Sequence, residues 1–409
     1  MKQKINKFTK IFPWYTGLEG DLLFYIAIDT LFLTVVKNFS PAQIVSLDSF
    51  SEFICIALQF PVLFVIKRIG NTASVRTGAF CLLLSSLLIT FGNSFYLVLI
   101  GRIFHDIAAV FRTASFVMLE NNLDLVNRRQ EFVRVRTAAN TVYSLITMLI
   151  SFVASLMFNY NYYLPMIGCI TTCTIGYILT FFIKDYSDYN KISYKTKKVE
   201  KVKIHYSKFI IMAIVFYAIF YLVVKSGQKE GKLFIQQHIL LDFNVDDTAF
   251  ILGAIICISR IIRVFSNVLF AKLYVKYQKK MGIALSALLG SSIAFMLFGS
   301  LIPLIFVKIF VMAIGYMIIL FVRDPFKLYL QDVVFEVTPK EQHQTLLTML
   351  EFGVKIGTVG MGLIFASILT EYPMIIVMSL IFIISLIEIL LSIKLYKMTI
   401  QERQNSTAE

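Results

Sequence analysis

Charge is scarce in this sequence, and three long apolar segments contain none. Charged residues make up 16% of the 409 residues and hydrophobic residues 58%, whereas soluble globular proteins are about 45–50% apolar. Thr77–Asn93, Tyr162–Ile183 and Met281–Gly299 lack Asp, Glu, Lys and Arg, and Pro373–Ile393 contains only Glu388. A charge inside a bilayer is costly unless it faces protein or water. The sequence therefore predicts a membrane protein in which these segments form lipid-facing walls.

Several other features are missing, and each absence disfavours a class of protein. The stretch Gly227–Lys232 has one residue too few between its glycines for an ATP-binding loop and lacks the hydroxyl, so any uphill transport would draw on an ion gradient or a counter-substrate. We found no nucleophile–base set, so an enzyme is not expected. Cys169 and Cys173 share a helix face without a third ligand, so neither a metal nor another cofactor is expected. No cleavable signal peptide is visible.

Twelve apolar segments, each long enough to cross a bilayer, use nearly the whole chain and leave no room for a separate soluble domain. We number them 1–12: Phe12–Val36, Ala42–Ile66, Thr77–Asn93, Phe95–Leu119, Phe132–Phe158, Tyr162–Ile183, Phe209–Leu240, Thr248–Leu273, Met281–Gly299, Ile302–Phe326, His343–Leu369 and Pro373–Lys394.

The net charge of +14 lies mostly in alternate loops, so it does not indicate a nucleic-acid partner. Lysines and arginines cluster before segment 1, after the even-numbered segments 2, 4, 6, 8 and 10, and after segment 12, whereas the other loops are nearly bare of them. Cytoplasmic loops carry the positive charge. The pattern predicts a multi-pass protein of the cell (plasma or inner) membrane with both termini in the cytoplasm.

One long polar stretch divides the chain into related halves. It predicts an N-terminal half at 1–183, a basic cytoplasmic linker at 184–208, a C-terminal half at 209–397 and a cytoplasmic tail at 398–409. A shift of 208 residues overlays Arg68 on Lys276 and Glu52 on Arg260, and a shift of 211 overlays Arg112 on Arg323. Chance could produce such matches, but the repeated charge-free third segments favour duplication.

At these positions the chain resembles the major facilitator superfamily. Arg68 and Gly70 match the family signature between helices 2 and 3, while Asn71 stands in place of its next arginine. Gly101-Arg102 resembles the start of the helix 4 motif, and Asp106 replaces a glycine. The helix 5 Gly-Pro pair is absent, which disfavours a drug/proton antiporter. The resemblance implies an all-α membrane protein with twelve transmembrane helices in two pseudo-symmetric six-helix halves.

The resemblance also implies alternating access, with segments 1, 2, 4, 5, 7, 8, 10 and 11 enclosing the functional residues. We assign gating to positions at the cytoplasmic ends of the helices: Arg68, Gly70, Glu120, Lys276 and Arg323. Glu120 could equally be a surface residue.

Ionisable residues inside the N-terminal segments are candidates for substrate binding and proton coupling. The substrate-binding candidates here are Asp21, Asp29, Glu52, Arg102 and Arg112. The proton-coupling candidates are Asp21, Glu52, Asp106 and, in the C-terminal half, Glu351. A carboxyl group beside an arginine can change protonation with substrate or pH. The alternative is a static ion pair that fixes two helices together.

Segment 7 becomes polar at Lys225–Lys232, and Gly227 and Gly231 should weaken the helix there by about 1 kcal/mol each. We predict a bendable helical stretch that faces a cavity, because an external loop would place three lysines outside. The alternative is a helix that ends near Val224.

The C-terminal half supplies mostly positive candidates: Lys225, Gln228, Lys229, Arg260, Arg263 and Lys355. The sequence therefore predicts a secondary transporter of a polar, anionic or zwitterionic organic solute, coupled to protons and working as a monomer in the lipid bilayer. Two alternatives stay open: a flippase or exporter of a lipid with a charged headgroup, and a membrane sensor that does not transport.

Overall fold

The computed structural model describes residues 2–187, 208–277, 280–337 and 343–406, and these are almost entirely helical. Those residues contain no strand. The α-helices are α1 Lys2–Leu18, α2 Tyr25–Leu31, α3 Pro41–Ile69, α4 Asn71–Phe91, α5 Phe95–Asp124, α6 Phe132–Tyr160, α7 Leu164–Leu179, α8 Lys208–Leu240, α9 Val245–Tyr277, α10 Met281–Gly299, α11 Ile305–Val337, α12 His343–Ile368 and α13 Met374–Ser406. A π-helical turn, Phe32–Val36, extends α2, and a 3₁₀ turn, Arg129–Glu131, precedes α6.

Each predicted segment corresponds to a helix or, for segment 1, to a pair of helices. In the described part of the chain, eight helices are long and apolar enough to cross a membrane: α3, α4, α6, α8, α10, α11, α12 and α13. Two further apolar helices, Tyr25–Val36 and Leu164–Leu179, are shorter. Large apolar side chains are exposed on α3 as well as on α13, with Phe60 78% and Leu390 66% accessible. The absence of charge therefore does not by itself mark the exposed helices.

Segment 1 is not one helix, contrary to its predicted course from Phe12 to Val36. Helix α1 begins ten residues earlier, at Lys2, and ends at Leu18, and α2 begins only at Tyr25. We call residues 19–24 the helix-1 break. Hydropathy does not register this break, because the residues on both sides of it are apolar.

Segment 7 shows the reverse. Helix α8 runs without interruption from Lys208 to Leu240, so the alternative of a helix ending near Val224 is wrong. The helix is continuous through both glycines. A Cβ at Gly227 would lie 2.6 Å from Ile319 Cδ1, and one at Gly231 would lie 3.1 Å from Met296. The glycines are thus sites where other helices approach α8 closely.

The chain forms two compact units. Unit 1 comprises residues 1–197 and 245–257, and unit 2 comprises 198–244 and 258–409. Their internal packing repeats. In unit 1, α4 packs on α5 and α7, and α1 packs on α6; in unit 2, α10 packs on α11 and α13, and α8 packs on α12. These helix pairs occupy equivalent places in the two halves, so the predicted pseudo-symmetric twelve-helix fold is confirmed.

Local signals account for the helix ends that frame unit 1. Ser40 and Gln43 form a reciprocal capping box at the start of α3, where Pro41 is the first residue. Lys37 Nζ donates to the carbonyl oxygens of Thr90 and Gly92, at 2.7 and 2.9 Å, at the end of α4. Lysine at this end satisfies carbonyls that have no partner within the helix. Burial lowers the pKa of the Lys37 ammonium group.

Residues 184–187, which we call the anchor segment, are held to the ends of α4 and α5 by side chains. Asp185 Oδ2 accepts hydrogen bonds from Asn71 Nδ2 at 2.7 Å and Asn121 Nδ2 at 3.0 Å. Asn122 donates to the Lys184 carbonyl and accepts from the Tyr186 N–H. The Asp185 side chain is fully buried. Asn71, which replaces the arginine of the family signature, therefore fixes the end of segment 6.

Candidate functional site

The helix-1 break places polar groups of α1, α2 and α5 of unit 1 next to each other. Arg112 Nη1 on α5 donates to the Gly20 carbonyl. Asp21 Oδ1 accepts from the Leu22 N–H at 2.8 Å, and Cys169 Sγ accepts from the Tyr25 N–H at 3.3 Å. Unpaired backbone groups inside a membrane protein are costly. Side chains therefore replace part of the helical hydrogen bonding that the break removes.

His105 on α5 lies between two aspartates. Its Nε2 is 2.8 Å from Asp21 Oδ1 at the break, and its Nδ1 is 3.2 Å from Asp106 Oδ1. Ser51 on α3 donates to Asp106 Oδ2 at 2.5 Å. The three ionisable side chains are between 15% and 33% exposed, so water reaches them in part.

This arrangement fixes a proton count. A neutral imidazole has one N–H, and two ionised carboxylates both need a donor. Both His105 contacts are hydrogen bonds only when one extra proton is present, on His105 or on an aspartate. Loss of that proton breaks one of the two bonds. We call Asp21, His105 and Asp106 the histidine triad.

The charges of neighbouring side chains also call for one added proton. Arg102 Nη2 on α5 binds Asp48 Oδ1 on α3 at 2.5 Å. Arg102 and Arg112 supply two positive charges against the three negative charges of Asp48 and the triad aspartates, which leaves one negative charge. One proton on the triad makes this group of side chains neutral, as burial favours.

Glu19, at the start of the break, is a second carboxyl group without a full set of partners. It is 3% exposed, and its Oε2 makes no hydrogen bond with the described residues. It packs beside Gly176 of α7, where a Cβ would lie 3.5 Å from Glu19 Cβ.

Unit 2 holds a cluster of arginines on α9 and α11. Arg263 binds Asp324 with both arms, Nε to Oδ2 at 2.6 Å and Nη2 to Oδ1 at 3.1 Å. Arg323 Nη1 donates to Gln228 Oε1 on α8 at 3.2 Å, while its Nε is 4.0 Å from Asp324. Arg260 lies three residues before Arg263 on α9, on nearly the same face of that helix. One carboxylate, Asp324, thus lies between the guanidinium groups of Arg263 and Arg323, and Arg260 adds a third. We call Arg260, Arg263 and Arg323 the arginine cluster.

Glu351 on α12 forms a separate pair beside this cluster. Lys327 Nζ on α11 donates to Glu351 Oε1 at 2.6 Å, and Tyr217 on α8 donates to the same oxygen at 3.2 Å. The Lys327 and Glu351 side chains are about half exposed, so their ion pair contributes little to stability.

The two units use equivalent arginines in equivalent ways. Arg112 and Arg323 correspond under the 211-residue shift, and Gly20 and Gln228 under the 208-residue shift. In each unit the arginine donates to that partner in the first predicted segment of its half, segment 1 or segment 7. In unit 1 the acceptor is a backbone carbonyl freed by the break. In unit 2, where α8 is continuous, a side-chain oxygen takes its place.

The structure brings some predicted residues together and leaves others apart. Asp21, Arg102, Asp106 and Arg112 meet in unit 1, and Gln228, Arg260, Arg263 and Arg323 meet in unit 2. The others are placed as follows: Asp29 on α2, accepting from the Thr30 N–H; Glu52 on α3, half-buried; Lys225 and Lys229 on α8, half-buried; Lys355 on α12, half-buried; Arg68 exposed in the last turn of α3; Gly70 at the end of α3 with φ 82°; and Glu120, which accepts from Arg129. The Lys276 side chain lies outside the described residues.

Sequence reasoning missed His105, Ser51 and, as a site residue, Asp48. His105 had one usable signal, because it is one of only four histidines and precedes a membrane-embedded aspartate. Its contact with Asp21 joins positions 84 residues apart, which spacing along one helix cannot reveal.

Comparison with known proteins gives one family. The sequence model of the Major Facilitator Superfamily matches residues 20–326. No curated protein matches the chain in sequence.

Solved structures that resemble the whole fold include the following three transporters. The nucleoside transporter NupG has a TM-score of 0.70 and 12% identity, with 97% of this chain and 98% of that chain covered. A bacterial homologue of the iron transporter ferroportin, in an inward-facing state, has a TM-score of 0.69 and 11% identity, with 98% of this chain and 99% of that chain covered. A bacterial homologue of the human lysosomal transporter Spinster has 0.70 and 10%, with 98% and 99% covered. At these identities the likeness concerns the fold alone.

Proposed function

The chain belongs to the Major Facilitator Superfamily, and from that premise we propose that it couples the movement of a polar organic solute to protons. The protein is a multi-pass membrane transporter of this family. The finer proposal is a secondary transporter that works by alternating access and carries an anionic or zwitterionic solute. We further propose that it acts as a monomer in the cell membrane with both termini in the cytoplasm, since its basic loops lie on the side of the termini.

The histidine triad is the single observation that carries proton coupling. His105 can hold Asp21 and Asp106 at once only with one extra proton, and that proton also makes the triad neutral together with Asp48, Arg102 and Arg112. Asp21 lies in the helix-1 break, so losing the proton frees one of the contacts that hold the broken helix against α5. Protonation would in this way be linked to the geometry of helix 1.

The arginine cluster supports the charge of the solute. Its guanidinium groups outnumber the carboxylates bound to them, and a negatively charged solute would supply the missing counter-charge. Discontinuous helices near the middle of the membrane form binding sites in other secondary transporters. The break beside the triad fits the same use.

Proteoliposomes containing the purified protein test the proposal. A panel of labelled organic anions and zwitterions is screened for uptake driven by an imposed pH gradient, acidic outside. Each hit is then measured in counterflow, with equal pH on both sides. We expect gradient-driven accumulation and counterflow in the wild type. His105→Gln should keep counterflow, which needs no net proton movement, and lose accumulation.

His238→Gln is the matched control, since it removes an imidazole from α8 without touching the triad. Accumulation by His105→Gln equal to wild type would refute coupling through the triad. Movement of labelled lipid but of no soluble solute would favour a flippase, and binding without exchange would favour a sensor.

A further inference from the structure

We infer that the arginine cluster of unit 2 is a receptor for a phosphate monoester group, carried by the transported solute or by a lipid headgroup. This rests on the proposed function and names the chemical group that the site would take. The ligand oxygens would bind Arg260 and Gln228 beside Arg323. Phosphate chemistry is shared by the two sources, which the experiment below separates.

The charge count calls for two negative charges. Arg260, Arg263 and Arg323 carry three positive charges, and Asp324 returns one, which leaves two. The Lys327–Glu351 pair is neutral and changes nothing. The adjoining turns of α8 carry three lysines and one glutamate, so they supply no negative charge that would reduce the positive excess of the cluster. Uncompensated charge inside a membrane is costly.

The hydrogen-bond donors of the cluster are not all used. Asp324 occupies Nε and Nη2 of Arg263, and Gln228 Oε1 occupies Nη1 of Arg323. In contrast, Arg260 Nε and Gln228 Nε2 are buried and find no acceptor among the described residues. Buried donors without acceptors cost free energy, and an acceptor ligand would recover it.

Both unused groups are N–H donors, so the missing partner is an acceptor. They belong to different helices, α9 and α8. Arg263, one turn from Arg260 on α9, binds Asp324, and the neighbouring Arg323 binds Gln228 on α8. A phosphate monoester carries between −1.5 and −2 charge at pH 7 and presents three oxygens. It can therefore balance two positive charges and meet donors from several directions. A carboxylate brings one charge and two oxygens in one plane, and would leave half of the excess uncompensated.

Binding to the purified full-length protein in lipid nanodiscs tests this without any need for transport. Phenyl phosphate and benzoate share a ring and differ in the anionic group, and lysophosphatidate presents the same phosphate on a lipid. Thermal unfolding and calorimetry are followed with each probe. We expect phenyl phosphate or lysophosphatidate to bind about tenfold or more tightly than benzoate. Binding of phenyl phosphate identifies a soluble solute, and binding of lysophosphatidate alone identifies a lipid headgroup.

Arg260→Gln should weaken phosphate binding about tenfold or more, and Gln228→Met, which keeps the charge, should weaken it less. Lys394→Gln removes one positive charge from an exposed position of α13 and should leave binding unchanged. Gel filtration establishes that each variant is folded. Equal affinity for phenyl phosphate and benzoate, with no binding of lysophosphatidate, would overturn the inference. So would wild-type phosphate affinity in both site variants.

The two proposals can fail separately. Proton-coupled uptake of a carboxylate without phosphate binding would refute the phosphate site and leave the proposed function standing. If phosphate binding depends on Arg260 but accumulation of the solute does not depend on His105, the phosphate site stands and proton coupling through the histidine triad is refuted.

Discussion

Replacing Arg112 by methionine should destabilise unit 1 by removing the donor that satisfies the Gly20 carbonyl. Methionine keeps a long, flexible side chain, so most of the packing is retained and the change mainly deletes the guanidinium group. Arg112 reaches across from α5 to the helix-1 break, where the carbonyl has lost its helical partner. The effect should therefore report on the break itself.

A hydrogen bond from a charged donor contributes about 1.5–3 kcal/mol, and the carbonyl left behind has little access to water. For a folding unit of about 200 residues, each kcal/mol corresponds to about 2–4 °C in Tm. We therefore expect Tm to fall by about 3–12 °C. Thermal unfolding of the protein in detergent, followed by fluorescence-detected gel filtration, measures this.

The control is Arg134→Met, which removes an arginine from an exposed position of α6. Its effect should stay within about 0.5 kcal/mol, as for ordinary surface substitutions. If Arg112→Met has the same Tm as the control variant, the hydrogen bond from Arg112 to the Gly20 carbonyl does not contribute to stability. The hydrogen bond from Arg112 would then not be what stabilises the helix-1 break.

Three further changes test other contacts by the same unfolding assay. Gly20→Ala places a methyl group within 2.5 Å of the Tyr143 ring and should cost about 1–3 kcal/mol, part of which Tyr143→Ala in the same chain should recover. Asp185→Ala removes from the anchor segment the carboxylate that accepts from Asn71 on α4 and Asn121 on α5, and should cost about 1–3 kcal/mol. Lys37→Met exposes the carbonyl end of α4 and should cost about 1–3 kcal/mol.

Each of these has its own check. Additive losses for Gly20→Ala and Tyr143→Ala would mean that the ring is not what the methyl group meets. Asp124→Ala and Lys10→Met change exposed residues of the same charge and should have effects within about 0.5 kcal/mol. If Asp124→Ala destabilises the protein as much as Asp185→Ala, or Lys10→Met as much as Lys37→Met, the hydrogen bonds of Asp185 or Lys37 contribute no more than ordinary surface contacts.

The twelve-helix plan could be predicted from the sequence because lipid imposes a length and a composition on every spanning helix. The polar stretch Lys225–Lys232 is the hardest case, and the positive-inside rule still placed it within the helix. The rule works there because it depends on where lysines lie along the chain. No knowledge of packing was needed.

What could not be predicted depends on contacts between distant positions. Glycine lowers helix propensity wherever it occurs, yet Gly227 lies in an unbroken helix while Gly20 lies in a break. The difference comes from neighbours: Ile319 fills the space beside Gly227, whereas Arg112 and Asp21 bind the backbone freed near Gly20. Predicting the candidate site met the same limit, since the identity of the charged residues was readable and their pairing was not.

The anchor segment has a practical consequence for how this chain can be engineered. Side chains of α4 and α5 hold residues 184–187, so these bonds do not depend on the covalent path after Ser187. A reporter domain inserted between positions 190 and 200 leaves every one of these four bonds in place, so unit 1 should stay folded. The same insertion between positions 183 and 184 would separate the end of segment 6 from the anchor segment that is hydrogen-bonded to α4 and α5. The molecule thus carries a defined position at which a fluorescent sensor could be built into a working transporter.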